Sequence, residues 1–274
     1  MPTTPLCQES SAKECVVTVR LHHRVLGNQD RPTVVVGGSV GSTLAAWEPQ
    51  LAALSVGFHV IAYDHRGHGG SPAPAGPYAI DDLAGDVVAL LDSYQVERAH
   101  LVGLSLGAMV VARIAGREPH RVDRLVLLCT TAHYPDPRSW TERAATVRAG
   151  GTQAVADAAL ERWLTAGYRH DHLDETATVR QMIVSIDREG YAGCCEAIAG
   201  MDLRPDLPRI QAPALVIAGE QDPAAPPEQM RELAAAIPGS RFEIVPGAHV
   251  PSIEHPEIVT SLLLEHLTSG QRLG

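Results

Sequence analysis

Unbroken apolar runs alternate along this chain with stretches whose apolar residues recur every three or four positions. The runs are Thr33-Val34-Val35-Val36, His59-Val60-Ile61-Ala62-Tyr63, Leu101-Val102-Gly103-Leu104, Arg124-Leu125-Val126-Leu127-Leu128-Cys129, Ala214-Leu215-Val216-Ile217-Ala218 and Arg241-Phe242-Glu243-Ile244-Val245. They have the length and β-branched content of strands, and the absence of polar alternation predicts strands covered on both faces, as in a parallel sheet between helices. Helical patterns fall between them, at residues 44–54, at Ile80, Leu83, Val87, Val88, Leu90 and Leu91, and from Ala108 to Ala112. Upstream, Val16-Val17-Thr18-Val19 and His22-His23-Arg24-Val25-Leu26 predict two strands of an edge hairpin. The expected class is α/β, with ligands held beyond the carboxyl ends of the strands.

Between Cys129 and Ala214 the alternation stops. This segment carries only helical patterns, near residues 140–148, 153–163, 177–186 and 189–199, and it leaves and rejoins the chain at strand ends. The expected organisation is a core of residues 1–133 and 207–274, with a helical cap, 134–206, inserted after the sixth predicted strand. A separate domain is the alternative, although no linker-like stretch marks either junction.

Three segments carry candidate chemistry. Gly103-Leu104-Ser105-Leu106-Gly107 joins a strand directly to a helix, the form of a nucleophile elbow in which a strained turn exposes a serine hydroxyl. Ser105 is the expected nucleophile. A serine needs a base and the base an orienting carboxylate. Behind the strand ending at Ala218 comes Gly219-Glu220-Gln221-Asp222-Pro223, and behind the last strand comes Gly247-Ala248-His249-Val250-Pro251. His249 is the expected base and Asp222 its partner, with Glu220 and Asp136 as competing acids. The oxyanion formed on attack needs fixed donors. The backbone amide of Leu106, at the start of its helix, is one; that of Val40, in the Gly-rich loop Gly37-Gly38-Ser39-Val40-Gly41, is the other. The polar loop Asp64-His65-Arg66-Gly67-His68-Gly69 is expected to be a structural turn beside the pocket.

Bulk properties narrow the partners. The 274 residues, 45% hydrophobic, suffice for one substantial core. Acidic residues outnumber basic ones 32 to 22, for a formal charge of -10, and no Lys/Arg cluster stands out to follow a phosphate backbone. Nucleic acid is not an expected partner, and a small molecule is. The five cysteines, Cys7, Cys15, Cys129, Cys194 and Cys195, show neither metal-ligand spacing nor a disulfide framework. They are expected to be reduced thiols in a cytoplasmic protein. No secretory signal pattern and no apolar run of membrane-spanning length is visible, so no membrane association is expected.

The motifs together, Gly38-Ser39-Val40-Gly41 with Trp47, Tyr63-Asp64-His65-Arg66-Gly67-His68-Gly69, and Gly103-Leu104-Ser105-Leu106-Gly107, resemble the α/β-hydrolase superfamily. Within it, the chain looks most like the 3-oxoadipate enol-lactonases. Trp140-Thr141-Glu142-Arg143-Ala144-Ala145-Thr146-Val147-Arg148, Ile217-Ala218-Gly219-Glu220-Gln221-Asp222-Pro223 and the His249 loop carry that likeness, and these lactonases resemble the chain in having no histidine at Gly38. The resemblance spans residues 16–267. It implies an α/β-hydrolase fold, with a mostly parallel sheet flanked by helices, and Ser105, His249 and Asp222 as a triad. It also implies lactone ring opening in the β-ketoadipate branch of aromatic degradation, with no metal or organic cofactor. A substrate of that kind carries a free carboxylate. Trp140 and Arg143, on one side of a cap helix, are the candidates to hold it, with Arg66 a weaker one. Esterases, thioesterases and C–C bond hydrolases share the same triad, and a ligand receptor on this fold is a further alternative that would not need all three residues. Haloalkane dehalogenases and epoxide hydrolases are disfavoured, because they use an aspartate where Ser105 stands.

Overall fold

A computed structural model describes residues 18–269. Seven strands form a single sheet in the order β1-β3-β2-β4-β5-β6-β7. They are β1 (His23–Leu26), β2 (Thr33–Gly37), β3 (His59–Tyr63), β4 (Ala99–Leu104), β5 (Val122–Leu128), β6 (Ala214–Gly219) and β7 (Arg241–Val245). All neighbouring pairs are parallel except β1 with β3.

The apolar runs alternate between the two faces of this sheet. Val35, Ile61, Leu101, Leu125, Leu127 and Val216 pack into one buried cluster with α2 (Ile80–Ser93) and α3 (Leu106–Arg117). Val34, Val36, Val60, Val102, Val126, Leu128, Leu215 and Ile217 pack into a second with α1 (Glu48–Gly57). Both faces need apolar side chains because both are covered. Fully burying each of these side chains stabilises the fold by roughly 1.5–3 kcal/mol.

Between β5 and β6 lies the helical insert: α4 (Arg138–Gly150), α5 (Gln153–Trp163), α6 (Ala166–Asp171), α7 (Leu173–Val184) and α8 (Arg188–Ala199). Its two ends meet, for His133 forms a bridge with Asp202 and the Leu203 amide donates to the Ala132 carbonyl at 2.8 Å. The chain then adds α9 (Pro227–Ala235), α10 (Pro251–Glu254) and α11 (Pro256–Thr268), and α11 joins the second cluster through Val259, Leu263 and Leu267.

Two expectations need correction. The edge hairpin does not form among the described residues: Val16 and Val17 lie outside them, Thr18 and Val19 are in no strand, and β1 pairs antiparallel with β3, His23 opposite Tyr63. A strand pattern gives the face of each residue but not its pairing partner. The insert therefore follows the fifth strand among the described residues. Its helices also number five there, with the short α6 unforeseen because its sequence AGYRHD buries no residue and so carries no periodic signal.

Candidate active site

At the carboxyl edge of the sheet, β4 turns sharply into α3 at Ser105, which sits at φ 53°, ψ −111°. A left-handed φ is costly for a residue with a Cβ and persists only where the surroundings enforce it. Here they do so through the backbone. The Ser105 amide donates to the Leu128 carbonyl at 2.9 Å, and the Ser105 carbonyl accepts from the Met109 amide and the Thr130 hydroxyl, each at 3.0 Å. Two glycines make room. A Cβ on Gly103 would lie 2.3 Å from the Gly107 carbonyl carbon, and one on Gly107 would lie 2.3 Å from the Gly37 oxygen. Chain therefore packs on chain without side chains between.

The loop after β2 crosses the same edge. The Gly107 amide donates to the Gly38 carbonyl at 2.9 Å, tying this loop to the elbow. The loop after β3 holds it at three further points. Asp64 Oδ1 accepts from the Leu44 amide at 2.6 Å, His65 Nε2 donates to the Gly38 carbonyl at 3.0 Å, and His68 Nε2 accepts from the Gly41 amide at 2.9 Å. That last bond requires an unprotonated Nε2, so His68 is neutral with its proton on Nδ1, which donates to the Arg66 carbonyl at 3.2 Å. Burial pushes both rings down, His65 to about 3 and His68 to about 4. The Asp64–Gly69 segment is thus a clamp on the Val40 loop. Arg66 is directed elsewhere: its buried guanidinium pairs with Asp86 of α2 at 2.7 Å and does not line the cavity.

Val40 lines the cavity, and among the described residues nothing accepts from its amide. Leu106 is the first residue of α3, where an amide has no intrahelical acceptor. Its side chain is wholly buried, so only the backbone is available for chemistry.

His249 follows β7 and lines the same cavity as Ser105 and Val40. Behind it, Asp222 Oδ2 lies 2.8 Å from His249 Nδ1. The other carboxylate oxygen accepts from the Ala224 and Ala225 amides at 2.8 and 3.1 Å. Burial acts to raise the Asp222 pKa. The His249 charge and hydrogen bond, with the two amides, outweigh burial and hold it below the usual carboxylate value. The competing acids are elsewhere: Glu220 is exposed, and Asp136 is exposed and bonded to Arg138.

The helical insert supplies the opposite wall. Trp140 and Arg143 of α4 both reach the cavity, with the guanidinium carbon 4.3 Å above the indole centroid. Arg162, Trp163 and Tyr191 line it too, and Tyr134 enters from the segment after β5. None of these four was singled out from the sequence. Tyr191 stacks on His68, linking the insert to the loop clamp. The enclosed space is about 130 Å³, the scale of a small organic molecule. Cys129, Cys194 and Cys195 are buried free thiols, while Cys7 and Cys15 lie outside the described residues. No helix among the described residues is long and apolar enough to cross a membrane.

A strand-to-helix elbow with a serine, followed in chain order by an acid and a histidine on loops at one sheet edge, is the layout of an α/β hydrolase. The chain belongs to the alpha/beta hydrolase fold family, whose model matches residues 34–172 and 177–256. It is 37% identical over 239 residues to 3-oxoadipate enol-lactonase 2 of Acinetobacter baylyi, covering 87% of this chain and 90% of that one. It is also 34% identical over 255 residues to the proposed carbamate hydrolase RutD of Variovorax paradoxus, covering 90% and 96%. The crystal structure of the enol-lactonase from Burkholderia xenovorans LB400 superposes with a TM-score of 0.90 at 43% identity, over 92% of this chain and 97% of that one.

Proposed function

We propose that this hydrolase of ester or lactone bonds opens 3-oxoadipate enol-lactone to 3-oxoadipate through an acyl-enzyme on Ser105. The observation that carries the reading is the placement of Ser105 and His249 on one cavity, with Asp222 2.8 Å behind the histidine. The similarity to two enol-lactonases gives it a substrate.

Asp222 accepts a hydrogen bond from Nδ1–H of His249, which leaves Nε2 unprotonated and free to take a proton. His249 removes the Ser105 hydroxyl proton as Oγ attacks the lactone carbonyl, and the amides of Val40 and Leu106 hold the oxyanion. Collapse of the tetrahedral intermediate expels the ring oxygen as an enolate. This leaving group is stable, and it becomes a ketone on taking at carbon the proton that His249 removed from Ser105, which returns His249 to its neutral form. The acyl chain stays attached to Ser105 until a water, deprotonated by His249, attacks the ester and releases the acid. Trp140 and Arg143 hold the substrate carboxylate against the insert. The reaction places the enzyme in the β-ketoadipate branch of aromatic degradation, in the cytoplasm.

The test is hydrolysis of enzymatically generated enol-lactone, followed by its ultraviolet absorbance, beside simple aryl esters and the Ser105→Ala variant. The expected outcome is lactone turnover far above that of aryl esters, with a loss on the order of 10⁶ in the variant. Turnover confined to aryl esters would keep the serine chemistry and discard the lactone. Near-native turnover by Ser105→Ala would discard the mechanism.

A further inference from the structure

Two guanidinium groups, Arg143 from α4 and Arg162 from α5, face the cavity together. Three other sheltered arginines are matched by acids: Arg66 by Asp86 at 2.7 Å, Arg113 by Asp206 at 2.9 Å, and Arg148 by Glu189 at 2.8 Å. Arg143 and Arg162 form no ion pair with a carboxylate of the described residues. Arg143 rests on the Trp140 ring instead. Burial, and after it the charge of Arg143, push the Arg162 pKa below its ordinary value, against weaker pulls from Tyr191, Glu161 and Tyr134. Two like charges gathered in one sheltered wall without a counter-charge are unfavourable until an anion joins them. They also run against the net charge of -10 of the chain.

The position of Arg162 is set by the catalytic loop. Its carbonyl accepts from the His249 amide at 3.3 Å, and the next carbonyl, of Trp163, accepts from the Val250 amide at 3.0 Å. Glu254 reinforces this joint, accepting from the Ala248 amide at 2.6 Å with one oxygen and from the Thr165 amide and hydroxyl, at 2.9 and 2.7 Å, with the other. Arg162 is therefore carried at a fixed backbone distance from the histidine. The walls around the two guanidinium groups are aromatic, from Tyr134, Trp163 and Tyr191, and shield an ion pair from water.

We propose that Arg162 and Arg143 form a carboxylate clamp that selects esters and lactones whose acyl chain ends in a carboxylate. The planar guanidinium forks match a carboxylate in two-point geometry. Resting on the serine-hydrolase reading of the site, the clamp makes Arg162 a specificity residue. In the enol-lactone reaction it would hold the free end of the six-carbon acyl chain while the other end is bonded to Ser105.

The test compares the p-nitrophenyl monoester of adipic acid with p-nitrophenyl hexanoate, two acyl chains of equal length of which only the first ends in a carboxylate. A charged hydrogen-bond pair in a sheltered site gives a preference of about 10- to 100-fold in kcat/KM for the adipate ester. In Arg162→Met the ratio falls to about unity, chiefly through KM, and Arg162→Lys restores part of it. Titration with adipate, read by the fluorescence of Trp140 and Trp163 in the cavity wall, provides a measurement independent of turnover. Arg162→Met, checked for a native circular dichroism spectrum, weakens adipate binding about tenfold or more, and Arg143→Ala weakens it as well. Equal hydrolysis of the two esters by the wild type, or wild-type adipate affinity in Arg162→Met, overturns the clamp. Failure of the hydrolase reading looks different: neither ester shows Ser105-dependent turnover, and the adipate titration alone then decides the clamp.

Discussion

The two walls of the cavity are built by different means. On the sheet side, Ser105, the Val40 loop and the Asp222–His249 pair are positioned by backbone hydrogen bonds and by glycines at which chain touches chain. On the insert side, α4, α5 and α8 present Trp140, Arg143, Arg162, Trp163 and Tyr191, side chains that a single substitution can exchange without disturbing a backbone contact. In the proposed reaction, the sheet side supplies the chemistry common to every substrate, and the choice of substrate is left to side chains on the helices of the insert. Two of the joints between the walls involve residues of the site. One is the pair of bonds from the His249 and Val250 amides to α5, and the other is His68, which holds Gly41 on one side and stacks on Tyr191 on the other.

This contrast predicts which variants act on all substrates and which on some. The largest effect after loss of the nucleophile itself is expected from Asp222→Asn. It removes the acceptor that fixes the His249 tautomer and should lower kcat by about 10⁴ for lactone and aryl ester alike, with KM little changed. A loss confined to one substrate would break the division between the walls. The Arg162 variants are the opposite case, changing the ratio between substrates by one to two powers of ten.

A smaller effect concerns pH. His65 and His68 have folded-state pKa values of about 3 and about 4, below the unfolded value of 6.5. Between those limits the unfolded chain binds more protons, so stability is complete above pH 6.5 and is lost as pH falls toward 4 and then 3. At pH 5 each ring accounts for a loss on the order of 2 kcal/mol. His100, lowered to about 4 by burial, adds to the same slope. Urea unfolding at pH 7.5 and pH 5 measures the total. His68→Gln keeps an oxygen to accept from Gly41 and should remove the share of His68, giving a shallower dependence. An unchanged slope would show that the clamp does not depend on a neutral ring at that position.

The sheet side was legible in the sequence to nearly the degree that it depends on main-chain geometry. Gly-x-Ser-x-Gly between a strand and a helix, and an acid and a histidine each just past a strand, are local patterns whose spacing states their geometry. The insert side was legible only in part. Trp140 and Arg143 stand on a helix with a visible inward face, whereas Arg162 is directed at the cavity because α5 ends against the His249 loop, a contact between residues far apart in the chain. Nothing in the residues around Arg162 records it. The pairing of β1 with β3 was hidden for the same reason, since strand residues declare a face and not a neighbour. Arg66 was misjudged as a possible substrate partner because its acid, Asp86, lies a helix away.

The central claim is covalent catalysis by Ser105, and it is tested most directly by trapping the intermediate. Enzyme mixed with the p-nitrophenyl monoester of adipic acid and quenched in acid within one turnover should carry one added acyl group in the intact mass. Peptide mapping should place that group on the fragment containing Ser105, and Ser105→Ala should carry none. An acyl group on another residue, or turnover with release of p-nitrophenol and no acylated enzyme at any quench time, would contradict the account.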